Sequence, residues 1–134
     1  MDALKNKSDF NFQAATILID KCCYAPSVHC SYYAMLQYAK HTLMHKFGIN
    51  ESDFDPDKNN VKGIGTHSFI RNESAEKIKN QLIDKKTAAD FSSDFGTLKR
   101  LRIEADYKNV EIDIAKARKS FEISKKLKLI LQKL

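Results

Sequence analysis

The sequence has little glycine and proline and no tryptophan. Its 134 residues include four Gly and two Pro, fewer than an all-β sandwich or barrel needs at its strand ends. No run that alternates between apolar and polar residues is bounded by turn residues on both sides, as a half-buried strand would be. The composition therefore excludes an all-β fold and predicts long helices.

Long apolar runs and paired cysteines are missing too. The longest nearly apolar run close to the N-terminus covers residues 14–19, too short for a signal-peptide core or a membrane span. Cys22, Cys23 and Cys30 are odd in number and form no CxxC pair, so they predict neither a disulfide framework nor a zinc knuckle. We expect a cytoplasmic protein without membrane contact, its thiols reduced and on or near the core.

The basic charge is concentrated at the C-terminal end. The formal net charge is +6, and residues 108–134 hold eight basic and three acidic side chains against 15 and 14 in residues 1–107. A lysine-rich helix face is usually solvated, but it can also bind the phosphates of a nucleotide or RNA. The last helix is therefore a candidate nucleic-acid surface.

Apolar residues recur at helical spacing in five segments. The predicted helices cover about residues 8–24, 27–47, 68–84, 88–107 and 111–133. Residues 48–66 are rich in Asp, Asn and Gly and form a long polar loop between the second and third helices. We predict a single all-α domain over residues 1–134, an up-and-down bundle of about five helices.

One face of the second predicted helix carries no charge. At 100° per residue, Cys30, Ala34, Tyr38, His41 and His45 share the side opposite its main apolar stripe. Such a face must be covered, either by a neighbouring helix of the same chain or by the same face of a second copy. The second cover is favoured, so these five residues are the predicted interface of a homodimer.

The histidines give weak signals for metal or nucleophilic chemistry. His41 and His45 are four positions apart, but the residues between them include no acid and no third ligand is apparent. A cysteine paired with His29 or His67 lacks an orienting group in the local sequence. We therefore expect neither a metal site nor a cofactor.

The densest group of polar residues lies at the end of the fourth predicted helix. Arg102 and Asp106 are one turn apart on one face. An exposed pair of this kind contributes only about 0.2–0.5 kcal/mol. A surface ion pair that ends a helix is the structural interpretation, and a binding site is the functional one.

Three motifs in order resemble the HEPN family, the helical domains named for higher eukaryotes and prokaryotes nucleotide-binding. They are Ser-Tyr-Tyr-Ala at 31–34, Thr-His-Ser at 66–68 and Leu-Arg-x-x-Ala-Asp-Tyr at 101–107, spaced as in the small stand-alone prokaryotic branch. The resemblance implies a helical bundle that is commonly dimeric. It also implies nucleotide or partner binding by His67, Arg102, Asp106 and Tyr107.

Many HEPN proteins are metal-independent ribonucleases that use an Arg followed closely by a His. Here all four His, at 29, 41, 45 and 67, precede all four Arg, at 71, 100, 102 and 118, so the usual agent of proton transfer is missing. The resemblance then favours a non-catalytic partner of a minimal nucleotidyltransferase, in a two-component system of the toxin–antitoxin type, with Tyr107 as a possible nucleotidyl acceptor. The alternative is a divergent ribonuclease in which Asp106 or His67 replaces the missing His.

Overall fold

The computed structural model describes residues 2–55 and 65–134, and within them it contains helices and no strand. The five α-helices are α1 (Ala3–Asp20), α2 (Tyr24–Phe47), α3 (Thr66–Leu82), α4 (Lys85–Tyr107) and α5 (Ile114–Gln132), and a short 3-10 helix covers Glu51–Phe54. The predicted all-α bundle of five helices is confirmed. Residues 56–64 of the predicted polar loop lie outside the described residues.

Aspartates fix where three of the helices begin. Each side chain accepts a hydrogen bond from the backbone N–H three residues later, which satisfies one of the unpaired donors of a helix start. The pairs are Asp2 with Lys5, Asp84 with Thr87 and Asp113 with Lys116, at 3.1, 3.0 and 2.9 Å. Helix α1 therefore starts five residues earlier than its apolar pattern predicts.

Helix α2 is the central element and contacts each of the other four α-helices. The larger core packs its buried face against aromatic and aliphatic side chains of α4 and α5. This core includes Tyr32, Met35, Leu43, Phe91, Phe95, Leu98, Leu127 and Leu131. A smaller core joins Val28 of α2 and Leu101 of α4 to Ile112 and Ala117. The beginning of α2 and the end of α4 consequently meet at one end of the bundle.

Helix α1 covers the uncharged second face of α2. The Ser8 hydroxyl donates to the Ala34 carbonyl at 2.6 Å, and the Asn11 amide donates to Gln37 at 2.9 Å. Ala34 and Tyr38 are buried within the single chain. Packing within the one chain is therefore sufficient to bury these two residues. A homodimer stays a prediction, and its interface would need residues that are more exposed than Ala34 and Tyr38.

The expectation that all three thiols lie on or near the core is wrong for two of them. Cys22 and Cys23 are exposed and Cys30 is partly buried. Residues 21–23 form the short connection between α1 and α2, and such a turn lies at the surface because its backbone groups need water.

No helix in the described part of the chain is long and apolar enough to cross a membrane.

Candidate functional site

Arg102 lies at the centre of an aromatic cluster at the end of α4. Its guanidinium carbon is 5.1, 5.8 and 5.7 Å from the ring centroids of Tyr32, Tyr33 and Tyr107, within range of cation–π attraction. Arg102 is only 8% exposed. The interpretation of Arg102 and Asp106 as a surface pair is thus wrong, because α2 lays two tyrosine rings over the arginine.

Asp106 joins Arg102 to a histidine that comes from α2. The Oδ2 atom of Asp106 lies 2.9 Å from Nδ1 of His29 and 3.6 Å from Nη1 of Arg102. The shorter contact is a hydrogen bond, whereas the longer one exceeds the 2.7–2.9 Å of a charge-assisted bond. Because Nδ1 is engaged, Nε2 of the 48% exposed His29 ring is the nitrogen left to contact a ligand.

His67 approaches the same cluster from the start of α3. Its Nδ1 lies 2.8 Å from the hydroxyl of Tyr32. Burial, helped by the positive charges of Arg102 and Lys99, lowers the pKa of His67 below its usual value. Burial also raises the pKa of Tyr32. Both groups are therefore uncharged at neutral pH, and a hydrogen bond joins them.

The structure brings together the four residues predicted to bind a nucleotide or partner. Arg102 contacts Asp106 and Tyr107 directly, and His67 is linked to Arg102 through Tyr32. Tyr107 is 74% exposed, as its proposed role as an acceptor requires. The cluster therefore combines a cation, hydrogen-bonding groups and an accessible hydroxyl.

Sequence reasoning missed His29 as a member of this cluster. It precedes Tyr32 and Tyr33 by three and four positions, so all three project from one face of α2. The rings of His29 and Tyr33 are 4.7 Å apart. The helical spacing of His29 with the two tyrosines was the available signal, but it places His29 in the cluster only when α4 is known to pack beside α2.

Two atoms in or near the cluster bear on its chemistry. The Nε atom of Arg102 is buried and has no hydrogen-bond partner among the residues described, a costly state for a charged donor.

Burial, together with the negative charge of Asp106, raises the pKa of the Cys30 thiol. That thiol is less readily ionised, which argues against a cysteine nucleophile here.

The basic helix α5 is partly neutralised within the chain. Lys116, Lys126 and Lys128 each pair with an acid of another helix. The partners are Glu104, Asp94 and Asp9, at 3.4, 2.8 and 3.6 Å. The free positive charge of α5 is therefore smaller than its composition indicates, and the cluster around Arg102 is the stronger candidate for a phosphate.

No protein-family model, curated protein or solved structure matches the chain.

Proposed function

We propose that the chain is a non-catalytic, HEPN-like nucleotide-binding protein of the cytoplasm. Its proposed partner is a minimal nucleotidyltransferase, with which it forms a two-component system of the toxin–antitoxin type. The observation that supports this proposal is the meeting of three separate motifs. Residues 31–34, 66–68 and 101–107 supply Tyr32, His67 and Arg102 to one connected cluster.

The cluster offers the two kinds of contact that a nucleotide needs. The Arg102 guanidinium matches a phosphate in charge and in its fork of N–H donors. Arg102 is only 8% exposed, but its hydrogen-bonding capacity is not filled: Nε has no partner among the residues described, and Asp106 lies 3.6 Å from Nη1. The exposed ring of Tyr107 can stack on a base, a contact that contributes about 1–3 kcal/mol in proteins that bind single strands.

Tyr107 is the proposed point of modification by the partner. In such a transfer its phenolic oxygen attacks the α-phosphorus of a nucleoside triphosphate, the phenol loses its proton, and pyrophosphate leaves. The nucleotidyltransferase would supply the triphosphate and its metal ion. Arg102 would stabilise the negative charge of the product beside the modified ring, since its guanidinium carbon is 5.7 Å from that ring.

Calorimetric titration with the four ribonucleoside triphosphates tests the binding step. We expect saturable binding of at least one of them and at least tenfold weaker binding by Arg102→Lys, which keeps the charge but loses the planar fork. Tyr107→Phe is the matched control, since it keeps the ring and should keep the affinity. If none of the four binds at millimolar concentration, the nucleotide-binding proposal is wrong.

The partner is tested separately. The neighbouring reading frame is read for a small nucleotidyltransferase, and that enzyme is incubated with the chain, a triphosphate and magnesium. We expect the intact mass to increase by whole nucleotidyl groups for the natural chain and to stay constant for Tyr107→Phe. An absent reading frame, or a mass that does not change, contradicts the proposed partnership.

A metal-independent ribonuclease is the second candidate, favoured by the 2.9 Å contact between His29 and Asp106. Asp106 would orient the imidazole, and Nε2 of His29 would take the proton of a 2′-hydroxyl. The 2′-oxygen would attack the phosphorus, Arg102 would stabilise the charged phosphorane, and the 5′-oxygen would leave and take a proton from water. Incubation with total RNA and a chelator distinguishes the two functions. Cleavage that leaves cyclic phosphate ends and is lost in His29→Gln would establish the ribonuclease, whereas intact RNA favours the non-catalytic protein.

A further inference from the structure

A second polar cluster lies at the junction of the start of α1 and the last turns of α2. Asp2, His41 and His45 each offer one ligand atom, and the three atoms all lie within 4.8 Å of one another. The Oδ2 atom of Asp2 contacts Nδ1 of His41 and lies 3.2 Å from Nε2 of His45. Asp2 supplies a third side chain of a metal-ligating type, which the spacing of the two histidines could not reveal.

The carboxylate of Asp2 is held in place from its other side. Its Oδ1 atom accepts the backbone N–H of Lys5 at 3.1 Å as the cap of α1. That bond directs Oδ2 toward the imidazoles. The cap of α1 therefore fixes this carboxylate, which presents its other oxygen to the two histidines.

His41 presents its Nδ1 atom to the same carboxylate oxygen of Asp2. This nitrogen is buried and makes no hydrogen bond of acceptable geometry to any residue described. A buried imidazole nitrogen that lacks a hydrogen bond and faces a carboxylate oxygen is placed as a metal ligand would be.

An ion pair alone accounts poorly for this arrangement. Two imidazoles, with ring centroids 4.6 Å apart, converge on one oxygen of Asp2. A carboxylate oxygen can accept an N–H from a neutral imidazole, but Nδ1 of His41 makes no hydrogen bond of acceptable geometry to any residue described. A divalent cation placed between the three atoms satisfies all of them together.

We propose that Asp2, His41 and His45 bind one divalent transition-metal ion, with zinc as the reference metal and water completing the coordination. Zinc bonds of about 2.0–2.1 Å in a tetrahedron place neighbouring ligand atoms about 3.3 Å apart. The Asp2–His45 separation of 3.2 Å fits this spacing, whereas the shorter Asp2–His41 contact has to open when the ion enters. Two imidazoles and one carboxylate select zinc, copper, nickel or cobalt over magnesium and calcium. The ion fastens the beginning of α1 to the end of α2.

This site is separate from the cluster around Arg102. His29 precedes His41 by 12 residues on α2, which corresponds to about 18 Å along the helix axis. The metal proposal therefore does not depend on the proposed function. A variant at either site should leave the ligand of the other site bound.

The test is a calorimetric titration of the chelator-treated, tag-free full chain with zinc chloride. We expect one ion per chain and a higher midpoint of thermal unfolding when zinc is present. His45→Gln alters the most exposed ligand, 58% exposed, and should weaken binding at least tenfold. Asp2→Asn keeps a good helix cap and removes the negative charge, so it should lose zinc affinity with little change in the zinc-free unfolding midpoint.

His29→Gln is the matched control, because His29 is an exposed histidine on the same helix that lies outside the proposed metal site. It should bind zinc as the natural chain does. Titration with cobalt chloride gives a second readout, because a four-coordinate cobalt site absorbs visible light far more strongly than the hydrated ion. If zinc binds at no defined ratio, or binds equally well to Asp2→Asn and His45→Gln, the cluster is an ion pair and the proposal is overturned.

Discussion

His29 and Asp106 lie 77 positions apart in the chain and are joined by a 2.9 Å contact between Nδ1 and Oδ2. The contact ties the first turns of α2 to the last turn of α4. It also keeps the carboxylate of Asp106 beside His29 and at a longer distance from Arg102. A single contact between two helices thus fixes the position of the acidic side chain of the cluster.

Replacing Arg102 by alanine should reduce stability as well as binding. The change removes a buried side chain from under three tyrosine rings and leaves Asp106 with His29 as its remaining partner. We expect a loss of about 2 kcal/mol in the free energy of unfolding, measured by urea denaturation. Arg100→Ala, at an exposed position two residues earlier, is the control and should change it by less than about 0.5 kcal/mol.

His67 should make stability depend on pH below about 6.5, its ordinary pKa. Its pKa is lowered in the folded chain, so the unfolded chain binds the proton more readily. The contribution to stability is present above the ordinary pKa and is lost as the pH falls through the folded value. Thermal unfolding midpoints between pH 8 and pH 5 should fall less steeply for His67→Gln than for the natural chain. Equal slopes in the two proteins would contradict this assignment.

Gly96→Ala should raise the free energy of unfolding by less than the usual advantage of alanine over glycine in a helix interior. Alanine in a helix interior is favoured over glycine by about 1 kcal/mol, but a Cβ at this position would lie 3.0 Å from Nη2 of Arg71. Moving Arg71 weakens its 3.1 Å hydrogen bond to Ser92. Gly96→Ala should therefore gain more stability in an Arg71→Ala background than alone. A double-mutant cycle of unfolding free energies measures the difference.

Tyr38→Glu should unfold the chain rather than separate two copies. Tyr38 is buried, with 9% of its surface exposed, and Nζ of Lys128 lies 5.3 Å from its ring centroid. A buried carboxylate there should cost about 3 kcal/mol or more, seen as a loss of helical circular dichroism on mild heating. Tyr38→Phe, the matched control, should stay folded. A well-folded Tyr38→Glu monomer derived from a natural dimer would instead support the interface predicted from the sequence.

The sequence predicted the number of helices because apolar residues recur at helical spacing in each of them. It misplaced the start of α1, since the cap is made by Asp2, ahead of the first apolar residue. Cover by a neighbouring helix of the same chain was left as an alternative for the second face of α2, because an apolar stripe does not show which helix packs on it.

In the candidate site, sequence spacing was sufficient to predict that Arg102 and Asp106 lie together, because they are one turn apart on α4. It was insufficient for His29, whose place beside Asp106 follows from how α2 packs on α4. The burial of Arg102 was missed for the same reason. Two of the rings that cover it, Tyr32 and Tyr33, come from the distant helix α2.

Tyr32 belongs to both the hydrophobic interior and the polar cluster. Its ring packs edge-on against Phe95 at a centroid distance of 6.1 Å, while its hydroxyl reaches His67. A shift of Phe95 therefore moves a member of the cluster around Arg102 without touching the surface. Substitutions at interior positions beside Phe95 should consequently change the geometry of this cluster, so the cluster and the packing of the interior are expected to evolve together.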